Sequence, residues 1–319
     1  MIKVGVSGCD TLRAQELVRV LINHPDVELR WVSSHGHAGM RLDQVVPGVL
    51  GESDLEVVAD GSLDDVDLVF LCSTSTEVAS CLASVEIPES LHVIDLSGSH
   101  NMNHGGELPW KYGLSEMQRR LLVHETRWIT LPGSAAAASL LALMPLARNH
   151  KIDSPLTVRV ELGQSVLGCC EPGTIDGRPL DEWAKDQRQE VEFALSQCQS
   201  GFSQPVDLTI APHPLRRTLA VTACLKCEMD EWALRELYEQ YYDDHNFVFV
   251  VNRSHTMADV ENTNKCLITL DKDESTGVLT VNAMMDVLLK GAAGNAVHAM
   301  NLMFGLHERV GLALKGTGC

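Results

Sequence analysis

A chain of 319 residues is longer than most single compact domains, and its apolar content of 45% is enough to fill two cores, so two domains are predicted. The formal net charge of −18, without a cluster of lysines and arginines, argues against nucleic acid or an anionic membrane surface as a partner. No charged and then apolar leader precedes the first predicted strand, and the longest apolar run, near 135–147, is too short to span a bilayer. We therefore expect a cytoplasmic protein.

The first 148 residues alternate strands and helices, which predicts a doubly wound parallel sheet of the Rossmann type. A strand at 2–7 leads through a glycine turn into an amphipathic helix at 12–23. Glycines in such a turn let a pyrophosphate approach the backbone at the helix N-terminus, although Thr11 or Leu12 stands where the third glycine of the dinucleotide fingerprint belongs. The turn predicts cofactor contacts from Gly5, Ser7, Gly8, Cys9, Asp10 and Thr11.

The second predicted strand, 27–33, ends in Ser33-Ser34-His35-Gly36-His37. An NAD site usually has an acidic side chain at this point to hold the ribose 2′-hydroxyl, and the sequence places none there. Two serines with nearby histidines suit a 2′-phosphate better, so we predict NADP rather than NAD. Two further strands, 66–72 and 91–96, also end in polar residues, which adds Ser73 and Ser97 to Ser33 and Ser34 as predicted cofactor contacts.

A further helix is predicted to begin at Ser134, directly after the turn Pro132-Gly133, and to continue until Pro145 discourages it. Ser134 is a good helix N-cap, so the first turn would present N–H groups and the positive end of the helix dipole. That arrangement favours an oxyanion, a phosphate or an activated nucleophile. The alternative, a capped and buried helix packed against a sheet, stays open.

From about residue 151 strands outnumber helices, which predicts a largely antiparallel sheet with helices on one face. The predicted strands are 157–162, 206–210, 218–225, 247–251, 266–270 and 278–284, the acidic helices are 181–198 and 230–243, and a Gly/Ala/Met-rich helix follows at 291–306.

The ten cysteines are scattered through a large chain, so reduced thiols are expected rather than disulfides. Cys224 and Cys227 form a lone C-x-x-C in a predicted strand, where alternation directs the two side chains to opposite faces. A zinc site would need a second pair with suitable spacing, which the sequence lacks, and the adjacent Cys169 and Cys170 are similarly poor chelators. We therefore predict no bound metal.

The order of these signals resembles the N-acetyl-gamma-glutamyl-phosphate reductases of arginine biosynthesis, relatives of aspartate-semialdehyde dehydrogenase, from end to end. The strongest match is the stretch from Asp286 to Leu306, which contains the Lys-Gly-Ala and Asn-Leu-Met signatures of that family. Shorter matches are Tyr112-Gly113-Leu114 with Glu116, Ala211-Pro212-His213 and Asn262-Thr263-Asn264.

The resemblance implies an NADPH-binding domain at 1–148, completed by a C-terminal helix within 290–319, and an α+β substrate and dimerisation domain at 149–289. It also implies a homodimer or homotetramer that acts on a small molecule. In that family a cysteine after Pro-Gly attacks an acyl phosphate, phosphate leaves, and the thioester accepts hydride to give an aldehyde. A histidine in a Pro-His motif moves the protons, and this motif falls on His213.

Here Ser134 stands at the cysteine position of the family. A serine hydroxyl ionises far less readily than a thiol, so it needs an adjacent base, and an oxygen ester accepts hydride less willingly than a thioester. The predicted catalytic residues are nevertheless Ser134 and His213. By the same resemblance, Gly133 and Asn295 are expected at the cofactor, and Ser165, Arg216 and Arg217 at the substrate.

Three functions remain open. The first is an NADP-dependent oxidoreductase that reduces a carbonyl, imine or acyl group without a covalent cysteine intermediate, with His213 as the proton donor. The second is a residual acyl-phosphate reduction through Ser134, with Cys169 or Cys170 as a possible substitute nucleophile. The third is a catalytically inactive binding or regulatory protein. We favour the first, because the glycine turn and the two-serine loop are retained.

Overall fold

The computed structural model describes residues 1–73, 88–102, 110–124, 126–167, 173–175 and 178–316. They form two compact units, one of Met1–Pro132 with Ala292–Ala313 and the other of Gly133–Gly291 with Leu314–Cys319. The sequence places the boundary after residue 148 instead. The difference arises because the helix that follows Gly133 packs against the sheet of the second unit.

The described strands, in chain order, are β1 (Ile2–Ser7), β2 (Val27–Ser33), β3 (Leu68–Leu71), β4 (His92–Asp95), β5 (Lys111–Tyr112), β6 (Trp128–Thr130), β7 (Leu156–Gly163), β8 (Thr174–Ile175), β9 (Arg178–Pro179), β10 (Val206–His213), β11 (Thr218–Lys226), β12 (Val248–Val250), β13 (Cys266–Asp273) and β14 (Val278–Asp286). The described α-helices are α1 (Leu12–Ile22), α2 (Leu42–Val45), α3 (Ser115–His124), α4 (Ser134–Arg148), α5 (Leu180–Cys198), α6 (Glu231–Tyr242) and α7 (Gly294–Met303). Short helical turns lie at Pro47–Val49, Leu63–Asp65, Met257–Asp259 and Leu289–Ala293, the last with π geometry.

A parallel sheet with the strand order β2-β1-β3-β4-β6-β5 forms the centre of the first unit. Every residue of β3 is buried, as expected for a parallel sheet covered on both faces. From β1 the chain first extends the sheet to β2 and then crosses to the other side of β1 as β3. This reversal confirms the doubly wound, Rossmann-type fold. In such sheets ligands bind beyond the carboxyl ends of the strands at the reversal.

The second unit contains a mixed sheet with the strand order β10-β7-β11-β14-β13-β12. Its three central pairs are antiparallel, as the sequence predicts, whereas the outer pairs β10-β7 and β12-β13 are parallel. The parallel pairing of β10 with β7 follows from the long helix α5 that lies between them in the chain, because parallel neighbours need a crossover connection. The two-stranded ribbon β8-β9 precedes that helix.

Helix α4 is apolar on all sides and buried along almost its whole length, which is typical of a core helix. The sequence predicts its end near Pro145, but it continues to Arg148. A proline has no N–H to donate to the carbonyl four residues earlier, here that of Leu141. The hydroxyl of Tyr242, from α6, donates to this carbonyl instead. A side chain from another helix thus satisfies the group that the proline leaves free.

The element boundaries follow the predictions closely, with β1 and β2 at the predicted residues. The C-terminal helix α7 begins at Gly294, later than the predicted start at 291, because the π-type turn Leu289–Ala293 precedes it. In the part of the chain that the structure describes, none of the helices has both the length and the apolar character needed to traverse a bilayer.

Candidate functional site

The loops that follow β1 and β3 meet where the strand order reverses. Gly8 adopts a left-handed φ of +89°, and its N–H donates to the Ser33 carbonyl over 3.0 Å. A Cβ at position 8 would overlap the hydroxyl oxygen of Ser73, so only glycine fits there. The Ser73 hydroxyl in turn donates to the Ser7 carbonyl over 3.4 Å. The structure therefore brings Ser7, Gly8, Ser33 and Ser73 together at the carboxyl edge of the sheet.

Helix α1 begins directly after this turn and is capped by its own sequence. Thr11 is the N-cap, and its hydroxyl accepts the N–H of Ala14 over 3.3 Å. Cys9 is buried, and burial together with the nearby Asp10 charge raises the pKa of its thiol to about 11, so the thiol stays protonated at neutral pH. Cys9 can thus offer a ligand its backbone but not a thiolate.

An acidic side chain does lie beside the loop after β2, contrary to the sequence-based expectation. It comes from the neighbouring turn: the Asp10 carboxylate accepts the Ser34 hydroxyl over 2.8 Å and contacts His37 Nδ1 at 2.9 Å. The expectation was wrong because it considered only residues on β2 itself, whereas adjacent parallel strands bring two separate loops to the same edge. Asp10, Ser34 and His37 therefore form one polar cluster.

Gly5, assigned to the cofactor by the sequence, has a role in packing. It lies within β1, and a Cβ there would overlap the indole ring of Trp31 on β2. Gly61 approaches the same ring, so the buried indole lies between two glycines, and its Nε1 donates to the Ser62 carbonyl over 3.0 Å. The Trp31 side chain therefore accounts for glycine at position 5.

The carboxyl end of β4 carries a second polar group. Asp95 is fully buried, accepts the N–H of Ser97 over 2.7 Å and contacts His100 Nδ1 at 2.7 Å. The Ser97 hydroxyl is hydrogen-bonded to that of Ser99. A buried carboxylate thus holds Ser97 at the edge of the sheet. Asn295, the other residue expected at the cofactor, is buried in the first turn of α7.

These residues fit a dinucleotide at the edge of the first sheet. The left-handed turn at Gly8 leads straight into the N-terminus of α1, where the helix dipole favours phosphate. Serine hydroxyls from two further loops lie beside that turn. Ser7, Ser73 and Thr11 lie around the turn at Gly8, and Ser34 and His37 follow β2, the strand beside whose carboxyl end the ribose binds in folds of this type.

The start of α4 is the centre of the candidate site in the second unit. Gly133 is the N-cap and Ser134 the first helical residue, so Ser134 is not the N-cap that the sequence predicts. Glu190 of α5 accepts the N–H of Gly133 at 3.1 and 3.3 Å, and Gln187 accepts that of Ala136 at 3.0 Å. Side chains from a distant helix therefore occupy N–H groups that were expected to face an oxyanion.

The Gln187 amide also explains the glycine at position 133, because a Cβ there would overlap it. Ser134 is buried and packs closely on the turn after β14, where a Cβ on Gly291 would lie 3.4 Å from the Ser134 Cβ. Within the described ranges, no hydrogen bond joins the Ser134 hydroxyl to a histidine or a carboxylate. In that part of the chain this serine therefore has no hydrogen-bonded base of the kind that a serine nucleophile needs.

His213 is the last residue of β10, and the loop that follows it contacts Gly163 at the end of β7 and Ser165 just beyond it. The N–H of Leu215 donates to His213 Nδ1 over 3.2 Å, so Nδ1 is unprotonated and Nε2 carries the proton of the neutral ring. A Cβ at Gly163 would overlap the carbonyls of this loop. Ser165 donates its N–H, over 3.0 Å, and its hydroxyl to the carbonyl of the exposed Arg216. Ser165, predicted at the substrate, thus positions the loop.

Arg217 ends the same loop and pairs with the fully buried Asp286 of β14, with 2.6 Å between Nε and Oδ2. The Asp286 carboxylate also accepts three backbone N–H groups, from Asn262 at 2.8 Å, Leu288 at 2.9 Å and Leu289 at 3.1 Å. Asn262 has a left-handed φ of +59°, so this bond holds a constrained turn. One carboxylate therefore fixes an arginine and two turns of the second unit.

Sequence reasoning missed the roles of Gln187, Glu190 and Asp286. The first two are three residues apart and share the buried face of α5, so a polar pair on the apolar side of that helix was the available signal. Cys169 and Cys170 lie outside the described residues. Among the residues that the structure does describe, no three or more histidine, cysteine or acidic side chains are arranged to hold a metal ion.

Comparison with known families covers most of the chain. The family model described as semialdehyde dehydrogenase, NAD binding domain, matches residues 3–124. The model described as semialdehyde dehydrogenase, dimerisation domain, matches residues 186–286. Both matches fall on the regions in which the parallel sheet and the mixed sheet are found.

Several relatives match at full length. The chain is 36% identical over 326 residues to the N-acetyl-gamma-glutamyl-phosphate reductase of Parabacteroides distasonis, covering 99% of each chain. It is 33% identical over 323 residues to the enzyme of the same name from Bacteroides thetaiotaomicron, again covering 99% of each.

Solved structures share the fold. Aspartate semialdehyde dehydrogenase II of Vibrio cholerae superimposes with a TM-score of 0.72 at 14% identity, over 96% of this chain and 98% of that one. The Candida albicans aspartate semialdehyde dehydrogenase with NADP gives a TM-score of 0.67 at 14% identity, over 95% and 98%. The chain therefore belongs to the NAD-binding semialdehyde dehydrogenase family of oxidoreductases, in the family of the proteins named N-acetyl-gamma-glutamyl-phosphate reductase.

Proposed function

We propose that this protein is an NADP-dependent oxidoreductase that reduces a carbonyl group of a small anionic molecule without a covalent intermediate on residue 134. The observation that carries the proposal is the hydrogen bond from the Leu215 N–H to His213 Nδ1 at 3.2 Å. It leaves the ring proton on Nε2, which suits a proton donor to a developing alkoxide. Ser134 supports the same conclusion, because among the described residues no histidine or carboxylate is hydrogen-bonded to its hydroxyl and could activate it as a nucleophile.

When bound, the dinucleotide supplies the hydride that the carbonyl carbon accepts. His213 gives the Nε2 proton to the carbonyl oxygen, so the product is an alcohol. The neutral ring is left as an imidazolate, which takes a proton back from water. Arg216 and Arg217 attract a carboxylate or phosphate on the substrate. Asp286 holds the Arg217 guanidinium by its Nε, and Ser165 keeps the loop in place. The residues that would hold the dinucleotide are Ser7, Gly8, Thr11, Ser73 and Ser97, and Ser33 and Ser34 would contact its ribose.

A second candidate is the reaction named for the full-length relatives, reduction of an N-acetyl-gamma-glutamyl phosphate. It is favoured by the 36% identity to the Parabacteroides distasonis relative and by the position of Ser134 in the first turn of α4. The Ser134 oxygen would attack the acyl carbon, phosphate would leave, and an oxygen ester would accept the hydride. This route is expected to be slow, because a serine hydroxyl ionises less readily than a thiol and an oxygen ester accepts hydride less readily than a thioester. A third candidate is a binding or regulatory protein without catalysis.

Fluorescence titration with NADPH separates the third candidate from the others, because an inactive protein that has lost its cofactor would show no binding. Phosphate-dependent oxidation of an amino-acid semialdehyde then tests the second candidate. Ser134→Cys should raise that activity strongly if the second candidate holds. NADPH-dependent reduction of short acidic aldehydes and oxo acids tests the first.

Under the first candidate, Ser134→Ala should retain reduction of the carbonyl within about threefold. His213→Asn should lower it by about a hundredfold or more, the usual contribution of a general acid. A loss of carbonyl reduction in Ser134→Ala equal to that in His213→Asn would contradict direct hydride transfer.

The proposal includes assembly as a homodimer or homotetramer, supported by the match to the dimerisation-domain model. It also places the protein in the cytoplasm. The described cysteines, Cys9, Cys72, Cys198, Cys224, Cys227 and Cys266, are free thiols, as a reducing compartment would leave them.

A further inference from the structure

We propose that Asp10 sets the choice between NADPH and NADH, and that it weakens the preference for NADPH that the serine loop would otherwise give. This inference rests on the proposed binding of a dinucleotide by the first unit. It concerns a residue of the turn after β1, not of the strand that usually determines this choice.

The backbone brings the two loops together. Strands β1 and β2 are parallel neighbours in a register that pairs Ser7 with Ser33, so the residues after them leave the sheet side by side. Asp10 lies three residues beyond the first strand, and Ser34 directly follows the second. The ribose of a dinucleotide lies beside the carboxyl end of this second strand, where a carboxylate usually binds the 2′-hydroxyl.

Asp10 occupies the groups that the loop would offer to a 2′-phosphate. Its Oδ1 accepts the Ser34 hydroxyl at 2.8 Å and contacts His37 Nδ1 at 2.9 Å. Ser34 and His37 are themselves 3.2 Å apart, which closes a three-membered cluster. A 2′-phosphate can use the Ser34 hydroxyl or His37 Nδ1 only by displacing the carboxylate from them.

The cluster is accessible to a ligand. The Asp10 side chain is 55% exposed and that of His37 is 39% exposed, whereas Ser34 is buried beneath them. His35 on this loop and Asp60 form a separate contact, with 3.9 Å between His35 Nε2 and Asp60 Oδ1, and both side chains are largely exposed. Asp10 is therefore the carboxylate that a ribose substituent would meet at Ser34.

The two cofactors differ in how they meet this carboxylate. A ribose 2′-hydroxyl can donate a hydrogen bond to Asp10, which favours NADH. A 2′-phosphate carries up to two negative charges and has mainly acceptor oxygens, so it is repelled by Asp10 and competes with it for the same donors. The wild-type protein should consequently bind both cofactors with affinities within about tenfold of each other.

The test is fluorescence titration of the full chain with NADPH and with NADH, which gives two dissociation constants without any need for a substrate. Asp10→Asn removes the charge and keeps the shape, and should raise the ratio of NADPH affinity to NADH affinity by about tenfold, the effect of removing one charge a few ångströms from a phosphate. Asp10→Glu keeps the charge and should leave the ratio within about threefold of wild type.

Asp60→Asn is the matched control, because it removes an equal charge from the same surface without touching Ser34, and its ratio should stay within about twofold. Thermal unfolding confirms that each variant is folded. A ratio that does not move in Asp10→Asn, or that moves equally in Asp60→Asn, overturns the inference while leaving the proposed function intact. Failure of the wild type to bind either nucleotide overturns both.

Discussion

The two units use carboxylates in opposite ways. In the first, Asp10 is half exposed and bonds Ser34 and His37, which lie 24 and 27 residues further along the chain. In the second, Asp286 is fully buried and bonds Arg217, which is 69 residues away. The exposed carboxylate can change a ligand preference at little cost to folding. The buried one holds a site together, so its loss should be felt as loss of stability.

Replacement of Asp286 tests this contrast most severely. Asp286→Ala removes the carboxylate that accepts three backbone N–H groups and pairs with a mostly buried guanidinium, which should lower the free energy of unfolding by about 3–5 kcal/mol. Asp286→Asn retains one acceptor oxygen and should cost less. Urea denaturation measures both.

The exposed Asp271 on the neighbouring strand β13 provides the control, and Asp271→Ala should stay within about 0.5 kcal/mol of wild type. If Asp286→Ala cost no more than this control, the buried carboxylate would not be the organiser of the second unit, and the contrast with Asp10 would disappear.

The N-termini of α4 and α1 sharpen the comparison, because a distant side chain caps the first and a residue of its own turn caps the second. Glu190, 57 residues from Gly133, accepts the N–H at the start of α4. Glu190→Ala should therefore destabilise the protein by about 1–3 kcal/mol, because a part-buried backbone donor loses an acceptor that is itself buried. Glu190→Gln keeps an acceptor oxygen and should lose less. Glu192→Ala on the same helix is the control, and chemical denaturation that ranks it equal to Glu190→Ala would refute the capping role.

The start of α1 depends on a cap within its own turn, where Thr11 accepts the N–H of Ala14. Thr11→Ala should cost about 1 kcal/mol, as is typical for loss of an N-cap, and Thr11→Ser should restore most of it. Thermal unfolding of both variants measures the difference. A larger loss for Thr11→Ala than for Glu190→Ala would reverse the expected order of local and long-range caps.

The first unit also contains a buried polar side chain with a distant partner. His24 is buried and contacts the Asn301 side chain at 3.1 Å, 277 residues away. Burial is the main cause that lowers the pKa of His24 in the folded state. Its contribution to stability is thus complete above the unfolded pKa of about 6.5 and is lost as pH falls through the lower folded pKa.

Unfolding measured at pH 7.5 and at pH 5 should accordingly show a loss of stability at the lower pH, with a smaller loss in His24→Gln. His35→Gln, which changes an exposed histidine, should keep the wild-type difference between the two pH values. Equal pH dependence in wild type and His24→Gln would exclude this histidine as the source.

The parts of the fold that were predictable from the sequence are those with local causes. Strands β1 and β2 are at the predicted residues because β1 is a short, mostly apolar segment, β2 alternates apolar and charged residues, and a turn closes each. The contact of Asp10 with Ser34 was not predictable from one loop, since it depends on the pairing of two strands. The capping of α4 by Glu190 depends likewise on helix packing, which no local pattern encodes.

Pro145 and Tyr242 illustrate how such distant dependence constrains sequence drift. If Tyr242 were lost while Pro145 remained, the Leu141 carbonyl would be stranded in the core without a donor. Replacing Pro145 by a residue with an N–H would remove the need for the tyrosine hydroxyl. An ancestor that acquired the proline first would have passed through a penalised form, so the more accessible mutational order is tyrosine first and proline second.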